Sequence, residues 1–196
     1  MPRTGRRPGN QDTRTAILAA ARKAFAERGY DKASIRQIAT SAGVDPALVH
    51  HYFGSKDQLF LEMMELPVNP NEFLPQVLGG GVDAVGERLV RTFLTVWDSP
   101  AGTTAAALMR SAVSHDWSAR MLREFITAQI LRRVVNSLDL DPKEGPLRAS
   151  LIASQMLGLA MARYIVKVEP LASTPREELV AAIAPTIQGY LTRPLQ

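Results

Sequence analysis

The chain has no cysteine among its 196 residues. That excludes a disulfide scaffold, a thiolate zinc site, an iron–sulfur centre, a cysteine nucleophile and a thiol-based redox switch. Histidine is nearly as scarce, with three in all. His50 and His51 are adjacent rather than one helical turn apart, so they cannot grip one metal ion from one helix face, and His115 stands alone. No serine, histidine and carboxylate combine into a nucleophile pattern. No metal, no cofactor and no enzymatic activity are therefore expected. The N-terminus, MPRTGRRPGNQDTR, has charge but no apolar run behind it, so it does not read as a secretory signal. The most apolar stretch, 151–168, is interrupted by Gln155, Arg163 and Lys167, which points to a buried helix rather than a bilayer span. The expectation is a cytoplasmic protein without a membrane partner. Strand-like alternation and internal repeats are missing as well.

What the chain does have is apolar content and asymmetry of charge. Hydrophobic residues make up 46% of it, too many for a disordered chain. The formal net charge of +4 is unevenly spread. Residues 1–56 carry ten basic and four acidic side chains, and the remainder carries 13 basic and 15 acidic ones. A net of +6 against −2 points to a polyanion as partner of the first third. Apolar residues at Ile17, Ala20, Ala21, Ala24 and Phe25 follow a helical period, and Gly29 can end that helix. Pro67, Pro70, Pro75 and the triplet Gly79, Gly80 and Gly81 form a loose stretch where the charge also changes. Helical patterns then run over about 82–97, 102–114, 118–138, 145–168 and 175–191. The division expected is a basic N-terminal arm and helical domain over 1–66, a Pro/Gly-rich connector over 67–81, and a second helical domain over 82–196, all of it α-helical.

Residues 34–53 read SIRQIATSAGVDPALVHHYF. Ser34 with Gln37 is a capping box that starts a helix at Ile35. Ile38 and the small Ala39 give it an apolar face that a second helix can approach closely. Gly43 sits where the turn needs positive φ. Asp45 then caps a second helix and Pro46 occupies its first position, while Val44, Leu48 and Val49 are expected to point back at the first. Ser55 with Gln58 opens the next helix. This is a helix–turn–helix, the second helix of which presents Asp45, Ala47, His50, His51 and Tyr52, side chains able to meet base edges and phosphates without bulk. Arg36 and Lys56 flank it at helix starts and Arg6 and Arg7 lie on the arm, where they can displace counterions from a duplex.

The segment 17–60, with Ile38-Ala39, Ala42-Gly43-Val44, Tyr52-Phe53, Ser55-Lys56 and Leu59, resembles the TetR-type (tetracycline-repressor-like) transcriptional regulators. The resemblance implies a dimeric, all-helical protein that binds a palindromic double-stranded DNA operator and releases it on binding a small effector, most simply as a repressor. It implies phosphate contacts from Ser34 and Lys56 and base or phosphate contacts from Arg36, Asp45, Ala47, His51 and Tyr52. Members commonly carry Tyr where this chain has His50.

The remaining helices hold candidates for an apolar effector cavity in Phe93, Trp97, Met109, Trp117, Met121, Phe125 and Met156, with Trp97 and Trp117 the preferred pair. Met161 serves either there or in a dimer contact. The resemblance places that contact in the last two long helices, where Leu151, Ser154, Gly158, Met161, Ala162, Ile183 and Ile187 are the candidates. The alternative is a helical small-molecule carrier or an adaptor without operator function. Gly79 to Ala84 matches a loose G-x-G-x-x-A with no strand before it, and Asp139-Leu140-Asp141 resembles a calcium loop with Lys143 where a ligand belongs; both are expected to be connectors.

Overall fold

The computed structural model describes residues 10–65 and 69–195, and among these residues every regular element is a helix. Arg6 and Arg7 of the predicted arm lie outside the described residues. The chain divides into two compact units, one up to residue 65 and one from residue 66 onward.

In the first unit α1 (Asn10–Lys32) buries Ile17, Ala21 and Phe25, one turn apart along one face. Its helical geometry breaks at Gly29 (φ 75°, ψ 171°), which turns Tyr30 inward. There Tyr30, Phe25 and Phe60 pack ring against ring, with centroids 5.1–5.9 Å apart. α2 (Ile35–Ala42) starts at the predicted capping box: Ser34 Oγ accepts from the Gln37 N–H at 3.3 Å and the Ser34 N–H donates to Gln37 Oε1 at 3.2 Å. Gly43 is left-handed at φ 69°, and the Val44 N–H donates to the Ala39 carbonyl at 3.0 Å, closing the turn. α3 (Pro46–Phe53) begins with Asp45 Oδ1 accepting from the Ala47 N–H at 2.7 Å. α4 (Lys56–Met64) begins with Ser55 Oγ accepting from the Gln58 N–H at 3.1 Å; the return bond of the second predicted box is not formed.

The second unit corrects the expected connector. Residues 67–81 are not loose throughout, because Pro70–Leu78 forms a helix, α5, with Asn69 as N-cap and Pro70 at a first-turn position that needs no N–H. Pro75 lies inside it. Leu74 and Val77 are buried, and their packing outweighs the backbone bond that Pro75 forfeits. The turn that follows, with Gly80 and Gly81 at positive φ, joins α5 to α6 within the second unit.

Then come α6 (Val85–Trp97), α7 (Pro100–Ser114), α8 (Asp116–Glu124), α9 (Arg132–Ser137), α10 (Gly145–Ala160) and α11 (Arg176–Thr192). Two π-helical stretches, Phe125–Leu131 and Met161–Val166, prolong α8 and α10. The main seam joins α6 to α11. Val90 and Leu94 pack there with Val180, Ala184, Ile187 and Leu191 in one buried cluster. Gly86 permits the close approach: a Cβ there would stand 2.5 Å from the Ala184 carbonyl oxygen. Arg88 of α6 holds α5 by its end, donating to the carbonyls of Val77, Asp83 and Gly81 at 2.8 Å each. By length and composition Gly145–Val166 is apolar enough to cross a membrane, yet only 28% of its most apolar window is buried in the chain. The helix expected to be buried is therefore mostly uncovered within the chain; one such helix alone does not establish a span, and this one carries Arg163, whose Nη1 donates to the carbonyls of Leu171 and Thr174.

Candidate nucleic-acid interface and effector cavity

α3 divides its residues sharply. Val49 and Phe53 are buried toward α2 and α4, whereas Ala47, Leu48, His50 and His51 are exposed. Leu48 corrects the prediction that it points back to α2. It is 39% exposed, because Val49 one residue on takes the inward position and Leu48 turns about 100° away from it. The outward set is therefore short, polar and apolar by turns, with Leu48 added to the side chains the sequence singled out.

Several of the predicted contact residues already have work within the first unit. Ser34 and Asp45 spend their side chains on helix caps. His50 Nδ1 lies 3.0 Å from the Gly54 carbonyl, so it tethers the C-terminal end of α3. Lys56 Nζ donates to the Asp31 carbonyl at 3.4 Å and stands 4.4 Å from the centre of the Tyr30 ring, which fixes its ammonium at the start of α4. Tyr52 is half-buried, with His51 and Phe53 beside it at centroid distances of 5.4 and 6.3 Å. Arg36 and His51 are exposed. Arg14 lies over the Phe53 ring at 5.3 Å and ion-pairs with Glu62, closing α1 over α3 and α4.

The second unit encloses a cavity of about 220 Å³. α5 lines it with Phe73, Leu74, Val77 and Leu78, and α6 with Leu89, Thr92, Phe93, Val96 and Trp97. Across from them stand Met109, Leu122, Phe125, Ile126 and Met156, from α7, α8 with its π-helical extension, and α10. Of the seven residues expected to line a cavity, Phe93, Trp97, Met109, Phe125 and Met156 surround it. Trp117 and Met121 do not. Trp117 is 40% exposed at the start of α8, and Met121 is buried one residue before Leu122, on a face rotated away from the cavity stripe of Leu122, Phe125 and Ile126. Trp97 is held by Phe93 on one side and Tyr164 on the other, at 5.6 and 5.2 Å. Tyr164 donates to Asp98 Oδ1 at 2.8 Å; burial first, and this bond second, push its phenol up to about 12.

The candidate dimer residues separate too. Ser154 and Gly158 are exposed on the outer side of α10, where Leu147 is 55% exposed, and Leu151, Met161 and Ala162 are half-buried. Ile187 is fully buried against α6 and cannot meet a partner chain; Ile183 packs half-buried on the same cluster. The largest apolar residues of α11 serve its own core, and its outer face carries Ala182, Pro185 and Thr186 instead.

Residues 17–63 match the model for bacterial regulatory proteins of the tetR family, and residues 83–191, more than half the chain, match the tetracyclin repressor-like C-terminal domain. The chain belongs to this family, whose members are DNA-binding transcription factors and not enzymes. Among similar proteins, the HTH-type transcriptional regulator BetI of Brucella anthropi is 44% identical over 64 residues, 33% of this chain and 31% of its own. The HTH-type transcriptional repressor AcnR of Corynebacterium efficiens is 40% identical over 60 residues, 31% of each. The matched segment thus spans about a third of these curated relatives. A solved TetR-family regulator from Streptomyces coelicolor is 39% identical, covering 96% of this chain and 99% of its own, with a TM-score of 0.48.

Proposed function

We propose that the chain is a cytoplasmic homodimeric repressor that binds a palindromic operator through α3 and leaves it when a small apolar effector fills the cavity of the second unit. The observation that carries the DNA-binding part is the face of α3: two residues anchor it in the core and four are turned outward, on a helix whose start is capped and whose end is tethered. A helix so fixed can enter a major groove in one register. Ala47 and Leu48 offer apolar contact to a thymine methyl, and His51 offers hydrogen bonds to base edges. Arg36, Tyr52 and Lys56, with the N-termini of α2 and α4, meet phosphates, and Arg6 and Arg7 add charge from the arm.

The outer side of α10, apolar yet little buried, supports pairing of two copies through α10 and α11. A two-fold pair sets its reading helices about 34–36 Å apart, one turn of duplex, so an effector that alters this spacing disfavours one half-site. The test is fluorescence anisotropy on duplexes from the gene's own upstream region, with and without apolar compounds that bind the chain. A cavity-binding compound should weaken operator binding about 10–100-fold. Binding of such compounds with unchanged operator affinity would overturn the effector part. In the same assay Lys56→Ala should weaken all duplexes alike and reduce the salt slope by about one. A loss confined to one sequence would contradict its phosphate role.

A further inference from the structure

The α6 stripe of the cavity wall is interrupted by a polar side chain. Along α6 the inward stripe runs Val85, Leu89, Thr92, Phe93, Val96, a helical spacing in which every other member is apolar. Thr92 occupies a place where valine, of the same shape, would complete the stripe. Some other helical hydroxyls bond back to the carbonyl four residues earlier, as Thr95 does to Arg91 at 2.8 Å on this same helix, Thr40 to Arg36 at 2.9 Å, and Thr192 to Gln188 at 3.0 Å. Among the described residues the Thr92 hydroxyl makes no such bond and no other. Thr92 is half-buried and its hydroxyl stays accessible, so it is open to a polar group brought into the cavity.

The rest of the lining sharpens the class. None of the 25 lining residues carries an ionisable side chain, and besides Thr92 only Trp97 carries a side-chain N–H or O–H group, its indole N–H likewise without a hydrogen-bond partner among the described residues. A carboxylate or ammonium brought into this cavity would meet no countercharge and would lose its hydration. Phe73, Phe93, Trp97 and Phe125 give the wall aromatic surface.

We infer that the cavity takes an uncharged, largely hydrocarbon ligand bearing a single hydrogen-bonding group, and that Thr92 is the residue that selects for that group. Its hydroxyl can donate to a ligand carbonyl or accept from a ligand hydroxyl. The inference deepens the effector reading and rests on it for its biological meaning. Its test uses binding without DNA, so a failure to regulate and a failure to select are told apart.

The experiment is isothermal titration calorimetry of the full chain, at neutral pH, with three probes sharing one ring system: naphthalene, 1-naphthol and 1-naphthoate. The expected order is 1-naphthol first, naphthalene about tenfold weaker, and ionised 1-naphthoate at least a hundredfold weaker than 1-naphthol. Thr92→Val, which keeps the shape, should bring 1-naphthol to the level of naphthalene and leave naphthalene binding unchanged. That second comparison also shows that the variant folds and keeps its cavity. Trp97→Phe, which removes the other polar group in the wall, should leave the preference for 1-naphthol in place. Equal or tighter binding of the carboxylate, an unchanged 1-naphthol preference in Thr92→Val, its loss in Trp97→Phe, or no binding of any of the three probes would overturn the inference.

Discussion

Phe60→Ala should abolish operator binding by unfolding the first unit. Phe60 is fully buried at the end of α4's first turn and forms edge-on contacts with both Phe25 and Tyr30. Its truncation removes the transfer free energy of the ring and leaves a void that α1 and α4 cannot both close, together about 3–5 kcal/mol. A unit of this size has on the order of 3–9 kcal/mol of stability in all, so the loss is comparable to the whole. In the full chain, hydrogen exchange of peptides from α1 and α4 should accelerate to near unprotected rates, with those from α6 and α11 unchanged. Any unfolding midpoint still resolved for this unit should fall by at least about 12 °C. Protection retained in α1 and α4 would mean that the three rings are not the unit's keystone.

The second large effect falls on the other unit. In a helix, glycine to alanine ordinarily stabilises by about 0.5–1 kcal/mol. At Gly86 the sign should reverse. A Cβ would stand 2.5 Å from the Ala184 carbonyl oxygen and 2.8 Å from the Gln188 backbone nitrogen, and neither backbone atom can rotate away. The Gly86 N–H also donates to Gln188 Oε1 at 2.9 Å, and Gln188 Nε2 donates to the Val82 carbonyl at 2.9 Å, so spreading the helices breaks a small network too. Gly86→Val should cost about 3 kcal/mol or more and lower the midpoint of this unit by about 10 °C. Because α6 supplies five residues to the cavity between Leu89 and Trp97, ligand binding should be lost with it. A Gly86→Val chain with an unchanged melt would refute the close approach of α6 and α11.

The helix starts of the first unit were legible because their chemistry is local. Ser34, Asp45 and Ser55 each cap a helix whose first N–H groups lie within three residues, so neighbours in sequence suffice to place them. α5 was not legible, since two of its residues are proline and three glycines follow. What makes it a helix is burial of Leu74 and Val77, the latter in a core built by segments far along the chain. Arg88 gave no signal for a related reason: its three partners are backbone carbonyls, which every residue possesses.

The errors at Trp117, Leu48 and Ile187 have one cause. Size and hydrophobicity nominate a residue, but helix rotation decides whether it meets a cavity, the core or solvent, and one position moves a side chain by about 100°. The π-helical stretch at Phe125–Leu131 shifts that rotation further, bringing Ile126, Ile130 and Leu131 to the cavity together. Thr92 gives no signal in the sequence, because one polar residue in an apolar helical stripe carries no mark of the cavity it lines.

The central claim is that α3 reads DNA sequence, and its most direct measurement is the affinity of the chain for its own upstream palindrome against a scrambled duplex of equal length, titrated over a range of salt. The account predicts at least about a 1,000-fold preference for the palindrome, two chains per duplex, and an affinity that falls steeply with salt for both duplexes. Equal affinity for the two duplexes at every salt concentration would contradict it.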